Sequence, residues 1–307
     1  MVGADSAPSL HDSCSVRSAT EPLTGTAPYA RAWIAIEQPG SWGRNALGAD
    51  TLPYGIGPLL AERAKDAQVG VLLIRHPQRR RHLSDTNPRQ VWVAHIETNT
   101  LITLHIQDCR ELLSWNLAAL AAGTDIPSAP SRDQEPLALV CCHAARDACC
   151  AIHGRALYDA LIAQSSSNTT STIWQCSHLG GHRFAPTMLL LPIGAVYGRL
   201  QAPAAQEAIR AAGRGRMLLG NCRGRTHLPP AVQAADLHLR TMLQCESAGD
   251  LDYTWQTTAD GRAHVTAHHR DGRTWLMTVA AQGSGLMRPA SCGAEPEAAP
   301  IWDVTGR

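Results

Sequence analysis

No apolar run in this chain approaches the roughly 20 residues that a helix needs to cross a bilayer, so no membrane span is expected. Met1 to Pro28 lacks a basic start followed by an apolar core, which argues against a secretory signal. G-x-S-x-G is absent, and with it the nucleophile elbow of hydrolases. So is G-x-x-x-x-G-K-S/T, the phosphate-cradling loop. No C-x-x-C occurs, which excludes ordinary dithiol exchange of the thioredoxin kind. Neither sign of charge dominates: 27 Lys and Arg against 26 Asp and Glu leave a net charge of +1, so no bulk polyanion partner is indicated. Aromatic residues make up only 5%, and Phe184 is the single phenylalanine. No aromatic platform accompanies Arg214, Arg216, Arg223 and Arg225, which speaks against nucleic-acid binding and for a solvated loop.

What the chain does have is 44% apolar residues over 307 positions, enough for two domains and a sizeable core. It also has ten cysteines. Thiols in that number, without a secretory segment, point to a reducing, cytoplasmic compartment where they bind metals rather than pair as disulfides.

Two short stretches concentrate the metal-binding residue types. Cys141 to Cys150 reads CCHAARDACC, four thiols in ten residues, and Trp174 to Pro186 reads WQCSHLGGHRFAP. His178 and His182 flank Leu179-Gly180-Gly181, where two glycines oppose a regular helix and let the backbone fold tightly, so both imidazoles can converge. Any one of these residues alone reads as structural, since Cys is often buried as a small hydrophobe. Together, Cys141-x8-Cys150 and His178-x3-His182 look like a metal site assembled from two loops. The donor set suits zinc as well as iron–sulfur, although the x8 gap is wider than the short Cys spacing of a zinc finger. In an extended segment neighbouring side chains point to opposite faces, so Cys141 and Cys142 should not both face one metal. Cys149 and Cys150, at a helix start, obey that rule less strictly. Phe184, after His182 and Arg183, either shields the site from water or simply packs in the core; Asp147 either pairs with Arg146 or orders the Cys loop.

Along the chain, Met1 to Pro28 is rich in Ser, Thr, Ala and Pro and reads as a loose segment carrying Cys14 as a free thiol. A strand is expected over Ala30–Gln38 and a helix over Pro58–Asp66, with Pro at its start. Strands follow at Val69–Arg75, Val91–Glu97 and Leu101–Gln107, then a helix over Cys109–Ala122 stopped by Gly123. Residues 124–136, with three prolines, read as a linker. The β-α-β-β-β-α order then repeats: strand Leu137–Cys141, helix Gly154–Gln164, strand Thr172–Cys176, hairpin Met188–Leu191 with Val196–Leu200, and helix Pro203–Ala212. A further helix is expected over Pro229–Gln244. Asp260-Gly261 and Asp271-Gly272 are hairpin signals for a small β-meander, with Gly283 to Arg307 as a ragged end. His264, His268 and His269 on the meander read as surface or packing residues. The expected organisation is therefore 1–28 flexible, 29–123 a first copy, 124–136 linker, 137–245 a second copy, and 246–307 meander and tail. The first copy lacks the ligands: PGSWGRNAL (Pro39 to Leu47) and HPQRRRH (His76 to His82) stand where the second has its Cys and His runs. Arg79, Arg80 and Arg81 read as a solvated loop or as a docking patch for an acidic redox partner.

The runs VCCHAARDACCAIHGRAL (Val140 to Leu157), WQCSHLGGHRFAP and LLLPIGAVYGRL (Leu189 to Leu200) resemble the sucrase/ferredoxin-like family, as do DSCSVRSATEPLTGTAP (Asp12 to Pro28), WGRNAL (Trp42 to Leu47) and RGRTHLPPAVQAA (Arg223 to Ala235). The resemblance implies an α/β fold of two tandem thioredoxin-like domains, β-α-β-β-β-α each, the first degenerate and without a cluster, plus the C-terminal β-meander. It implies a [2Fe–2S] cluster with two Cys on one iron and two His on the other: Cys141, Cys150, His178 and His182. Cys142 departs from the family pattern, which needs no thiol there. The implied function is one-electron transfer to or from a redox partner protein, not catalysis, with no nucleic acid and no membrane involved. Neutral His donors leave the oxidised site less negative than four thiolates would, which raises the potential from roughly −400 mV to about −150 mV or above. Their second nitrogen makes the potential depend on pH. The other function class is a thioredoxin-like binding or structural protein with zinc, or no metal, in the same site; visible absorption separates the two.

Overall fold

The computed structural model describes residues 13–76, 88–125, 135–164 and 172–306. The Arg79–Arg81 run, His82 and most of the expected linker lie outside the described residues.

In the first half, β1 (Ala32–Glu37) leads through α2 (Gly57–Asp66) to β2 (Val69–Arg75), β3 (Arg89–His95) and β4 (Thr100–Ile106). Strands β1 and β2 are parallel, with Ala32 opposite Val69, while β3 runs antiparallel to both β1 and β4. The order in space is β4-β3-β1-β2. The second half repeats it. Strand β5 (Leu137–Cys141) leads through α4 (Arg155–Gln164) to β6 (Ile173–Cys176), β7 (Thr187–Leu191) and β8 (Ala195–Gly198). Again the first two are parallel and the next two antiparallel. Its order, β6-β5-β7-β8, is extended by β9 (Cys222–Arg225).

The halves meet edge to edge. Strand β2 pairs antiparallel with β6 through Ile74–Cys176 and Arg75–Gln175, giving one nine-stranded mixed sheet. The same strand order in each half, with antiparallel pairing between the two, is what a two-fold rotation about the sheet normal produces.

The sheet is buried on both faces, so its strands read as near-continuous apolar runs. Side chains alternate. Leu137, Leu139 and Cys141 join Trp33, Ile74, Trp92 and Trp174 on a face that runs across both halves. Ala138 and Val140 turn the other way and pack under α4 and α5 (Ala202–Ala212). Ile34, Ile36 and Leu73 pack under α2 and α3 (Leu117–Ala121).

The helix expected over Cys109–Ala122 is broken: a 3₁₀ turn at Cys109–Leu113 precedes α3. Asn116 starts α3 by accepting a hydrogen bond from the Ala119 amide, a capping role incompatible with a helix interior. The N-terminal stretch is packed from Ser13 onward: α1 (Cys14–Arg17) buries Cys14 completely.

The C-terminal sheet has four antiparallel strands, β10 (Leu251–Thr257), β11 (Ala263–His269), β12 (Thr274–Pro289) and β13 (Pro296–Gly306). The expected ragged end is thus half of β12 and all of β13. Helix α6 (Pro230–Leu243) packs Val232, Ala235 and Leu239 against this sheet.

Candidate metal centre

Both ligand-bearing loops leave the C-terminal ends of parallel strands, where α/β sheets commonly place their ligands. Cys141 is the last residue of β5, and Cys176 the last of β6. After Cys141 the chain turns through His143 and Asp147 and enters a helix whose first turn, Cys150–Gly154, is a π-turn. Such turns are frequent at functional sites because the widened backbone re-aims a side chain. Gly154 allows the close approach: a Cβ there would collide with the Cys141 carbonyl.

Cys141 and Cys150 Sγ lie 3.4 Å apart. Cys141, Cys150 and His178 offer donor atoms that all lie within 4.8 Å of one another. His182 stands beside His178, ring centroids 5.0 Å apart, with its Nε2 3.6 Å from Asp147 Oδ2. The turn between them uses Gly180 and Gly181, both at positive φ, and a Cβ on Gly181 would collide with the Arg223 guanidinium. Both cysteines are 1% exposed and His182 7%.

Cys142 faces the opposite side of the sheet, among Leu157, Tyr158 and Leu161, where burial pushes its thiol up. The alternation of β5 separates it from Cys141. Cys149 points away from Cys150, toward Cys14 and Cys292. The structure therefore groups the donor atoms of Cys141, Cys150 and His178, sets His182 beside His178 but outside that group, and turns Cys142 and Cys149 elsewhere.

The electrostatics suit cation binding. A hydrogen bond from the Cys150 thiol, assisted by His178, holds Cys141 well below the ordinary thiol range against the opposing effect of burial. Donation to Cys141, together with burial, pushes Cys150 up. Burial lowers His182, partly offset by Asp147, so its imidazole stays neutral and free to donate a lone pair. Nδ1 of His178 and both ring nitrogens of His182 are buried without a hydrogen-bond partner. Buried imidazole nitrogens left unpaired cost free energy unless another group meets them.

A family model described as sucrase/ferredoxin-like matches residues 23–224. The chain belongs to the sucrase/ferredoxin-like family. Comparison with curated proteins and with solved structures returns no match. The matched span holds the whole nine-stranded sheet except the last residue of β9, and it excludes Cys14 and the C-terminal sheet.

Several residues that build this site gave little sign in the sequence. Asp147 orders the Cys loop, accepting from the Cys149 amide at 2.8 Å and the Cys292 amide at 3.1 Å. Those amides and His182 hold its carboxyl low although burial works the other way. Arg223 and Arg225, read as a solvated basic segment, are buried on β9. Arg223 donates to the Gly180 carbonyl at 2.9 Å and so fastens the glycine turn; burial lowers it to about 9. Phe184 is fully buried, flanked by the guanidinium groups of Arg183, Arg199 and Arg223. The first half contributes too: Trp42 stacks edge-on against His143, whose Nε2 meets the Gly43 carbonyl at 2.6 Å. On the C-terminal sheet, His269 falls within 4.8 Å of Cys245 and Asp250 as a further group of possible donors. No described helix is long and apolar enough to cross a membrane.

Proposed function

We propose that this chain is a one-electron carrier holding a [2Fe–2S] cluster on Cys141, Cys150, His178 and His182. The observation that carries this reading is the set of unpaired, buried imidazole nitrogens beside a close thiol pair. The fit is chemical: soft sulfur and imidazole donors, two of each, with little water access. When bound, such a cluster takes up and returns one electron.

The chain's own residues tune that exchange. Two thiolates and two neutral imidazoles keep the site less negative than four thiolates would, which favours reduction. His182 Nε2 lies 3.6 Å from Asp147, whose carboxylate would orient the ring as a ligand. A proton on the His182 ring, beside Asp147, would be held more tightly once negative charge is added nearby. The midpoint potential therefore falls as pH rises above the oxidised-state pKa, by up to about 59 mV per pH unit for one electron. Repeated β4-β3-β1-β2 order supports two tandem thioredoxin-like units, and the four proposed ligands lie in the second, within 137–245. The working partner is another redox protein, in the cytoplasm, with no nucleic acid or membrane involved.

Freshly purified protein tests the reading: it should be coloured and contain iron and acid-labile sulfide in equal amounts. The other reading is a thioredoxin-like structural or binding protein with zinc, or nothing, between the same four residues. A colourless protein without iron, after anaerobic reconstitution with iron and sulfide, favours that one.

A further inference from the structure

A second cluster of soft donors lies next to the first and outside it. Cys14, from α1, and Cys292, from the loop after β12, meet Cys149 on the Cys loop. The three sulfurs form a near-equilateral triangle: 3.5 Å between Cys14 and Cys149, 3.6 Å between Cys149 and Cys292, 3.6 Å between Cys292 and Cys14. Asp147 closes the fourth corner, its Oδ1 3.5 Å from Cys292 Sγ and 3.9 Å from Cys14 Sγ. Cys14, Asp147 and Cys149 are 0%, 5% and 1% exposed, and Cys292 is half-buried.

These distances decide between two explanations. A disulfide needs sulfurs at about 2.05 Å and joins two of three thiols, stranding the third. The cysteines are all free, and no sulfur is closer to one neighbour than to the other by more than a tenth of an ångström. Tetrahedral zinc with Zn–S of about 2.3 Å and Zn–O of about 2.0 Å has sulfur–sulfur edges of about 3.8 Å and sulfur–oxygen edges of about 3.5 Å. The observed edges lie within a few tenths of those values. Asp147 is pre-aimed, because the Cys149 and Cys292 amides each hold one side of its carboxylate. No Lys or Arg is paired with it among the described residues. Its one basic partner among them is His182, Nε2 at 3.6 Å, whose protonated form burial disfavours, so a bound cation would balance the buried carboxylate.

We propose that Cys14, Asp147, Cys149 and Cys292 form a closed, structural site for a soft divalent cation of the zinc type. Four protein donors leave no open position, so the ion acts as a clasp. It fastens segments 135 and 143 residues away from Cys149 in the chain, from the two ends of the molecule, onto the loop that carries Cys150. Two of the donors lie outside the span matched by the family model.

The test uses the full chain and zinc itself. Wild-type protein equilibrated with zinc and desalted should retain about one equivalent, over and above any iron. Cys14→Ser and Cys292→Ser should each lose that equivalent and keep the colour and iron of the parent. Cys141→Ser, which removes a thiol of the first pair, should lose iron and keep the zinc; this separates failure of the clasp from failure of the electron-transfer reading. Cobalt(II) gives a readout on unmutated protein, independent of whether a variant folds: thiolate-to-cobalt charge-transfer bands with tetrahedral visible bands. Three results overturn the proposal. One is wild-type protein that retains neither zinc nor cobalt. Another is zinc that persists in both Cys14→Ser and Cys292→Ser, which would place it elsewhere, for instance at Cys245, Asp250 and His269. The last is an intact mass lowered by a disulfide among Cys14, Cys149 and Cys292.

Discussion

At the scale of single residues, the account turns on which thiol of each pair faces the imidazoles. Cys141 has Cys150 at 3.4 Å and His178 in reach, whereas Cys142 is packed among Leu157, Tyr158 and Leu161 on the far face of β5. Cys141→Ser should therefore abolish iron binding, and Cys142→Ser should leave iron content and spectrum at the parent level, both measured on protein reconstituted side by side. Loss of iron in Cys142→Ser alone would reverse the assignment. This much was legible, because a strand's period of two separates adjacent side chains whatever the rest of the fold does. Cys14 was not legible: a Ser-, Thr- and Pro-rich neighbourhood signals a loose segment, and nothing local announces that Cys149 and Cys292 wait more than a hundred residues away. The burial of Arg223 was equally silent, since an arginine before a glycine in a loop-like run looks solvated until its carbonyl partners at Gly180 and Thr26 are known.

At the scale of elements, the π-turn at Cys150–Gly154 sets the distance between the helix and the end of β5. Gly154 has no room for a methyl group against the Cys141 carbonyl. Gly154→Ala should force the helix outward, cost about 1–3 kcal/mol as an overpacked contact, and sharply reduce iron retention; thermal unfolding and metal analysis read both. Gly213→Ala is the control: it sits at φ −61 with its nearest neighbours at 3.6 Å or more, so the same change there should be neutral. Equal effects at both positions would contradict the packing account. Elements with strong local signals were legible in the sequence, among them β1, β5, α5 and the hairpins at Asp260-Gly261 and Asp271-Gly272. The broken helix before Gly123 was missed because apolar periodicity continues through Ser114–Asn116, while Asn116 caps instead of continuing the helix. Strand β13 was missed because its pattern, PEAAPIWDVTG, carries two prolines; it lies on the sheet edge and begins with Pro296, both positions where proline is tolerated in a sheet.

At the scale of the whole molecule, the site is held by parts that no sequence window contains together. Glu21, 1% exposed, accepts two hydrogen bonds from Arg183 at 2.8 and 2.9 Å and forms an ion pair with Arg288 at 2.9 Å. It thereby joins the N-terminal segment, the loop of His182 and the C-terminal sheet. Glu21→Ala takes the carboxylate partner from the half-buried Arg183 and leaves the buried Arg288 with Glu297 alone, and should cost about 1–3 kcal/mol in denaturant unfolding; a change below about 0.5 kcal/mol, the scale of ordinary surface substitutions, would show that these parts are not coupled. The β2–β6 pairing that fuses the halves was likewise invisible in the sequence, because edge-to-edge pairing at two residue pairs has no periodic signature. The repeated element order was visible, and so was the Cys and His constellation, since both are written in contiguous runs. The central claim is that sulfur and nitrogen donors share one iron–sulfur cluster. Pulsed electron paramagnetic resonance on the reduced full-length protein, grown with ¹⁴N- and then ¹⁵N-labelled histidine, tests it most directly. The account predicts hyperfine couplings from two histidine nitrogens that change with the isotope and are reduced to one in His178→Cys and in His182→Cys. A paramagnetic cluster with no histidine coupling, or a colourless protein that holds zinc in place of iron, would contradict it.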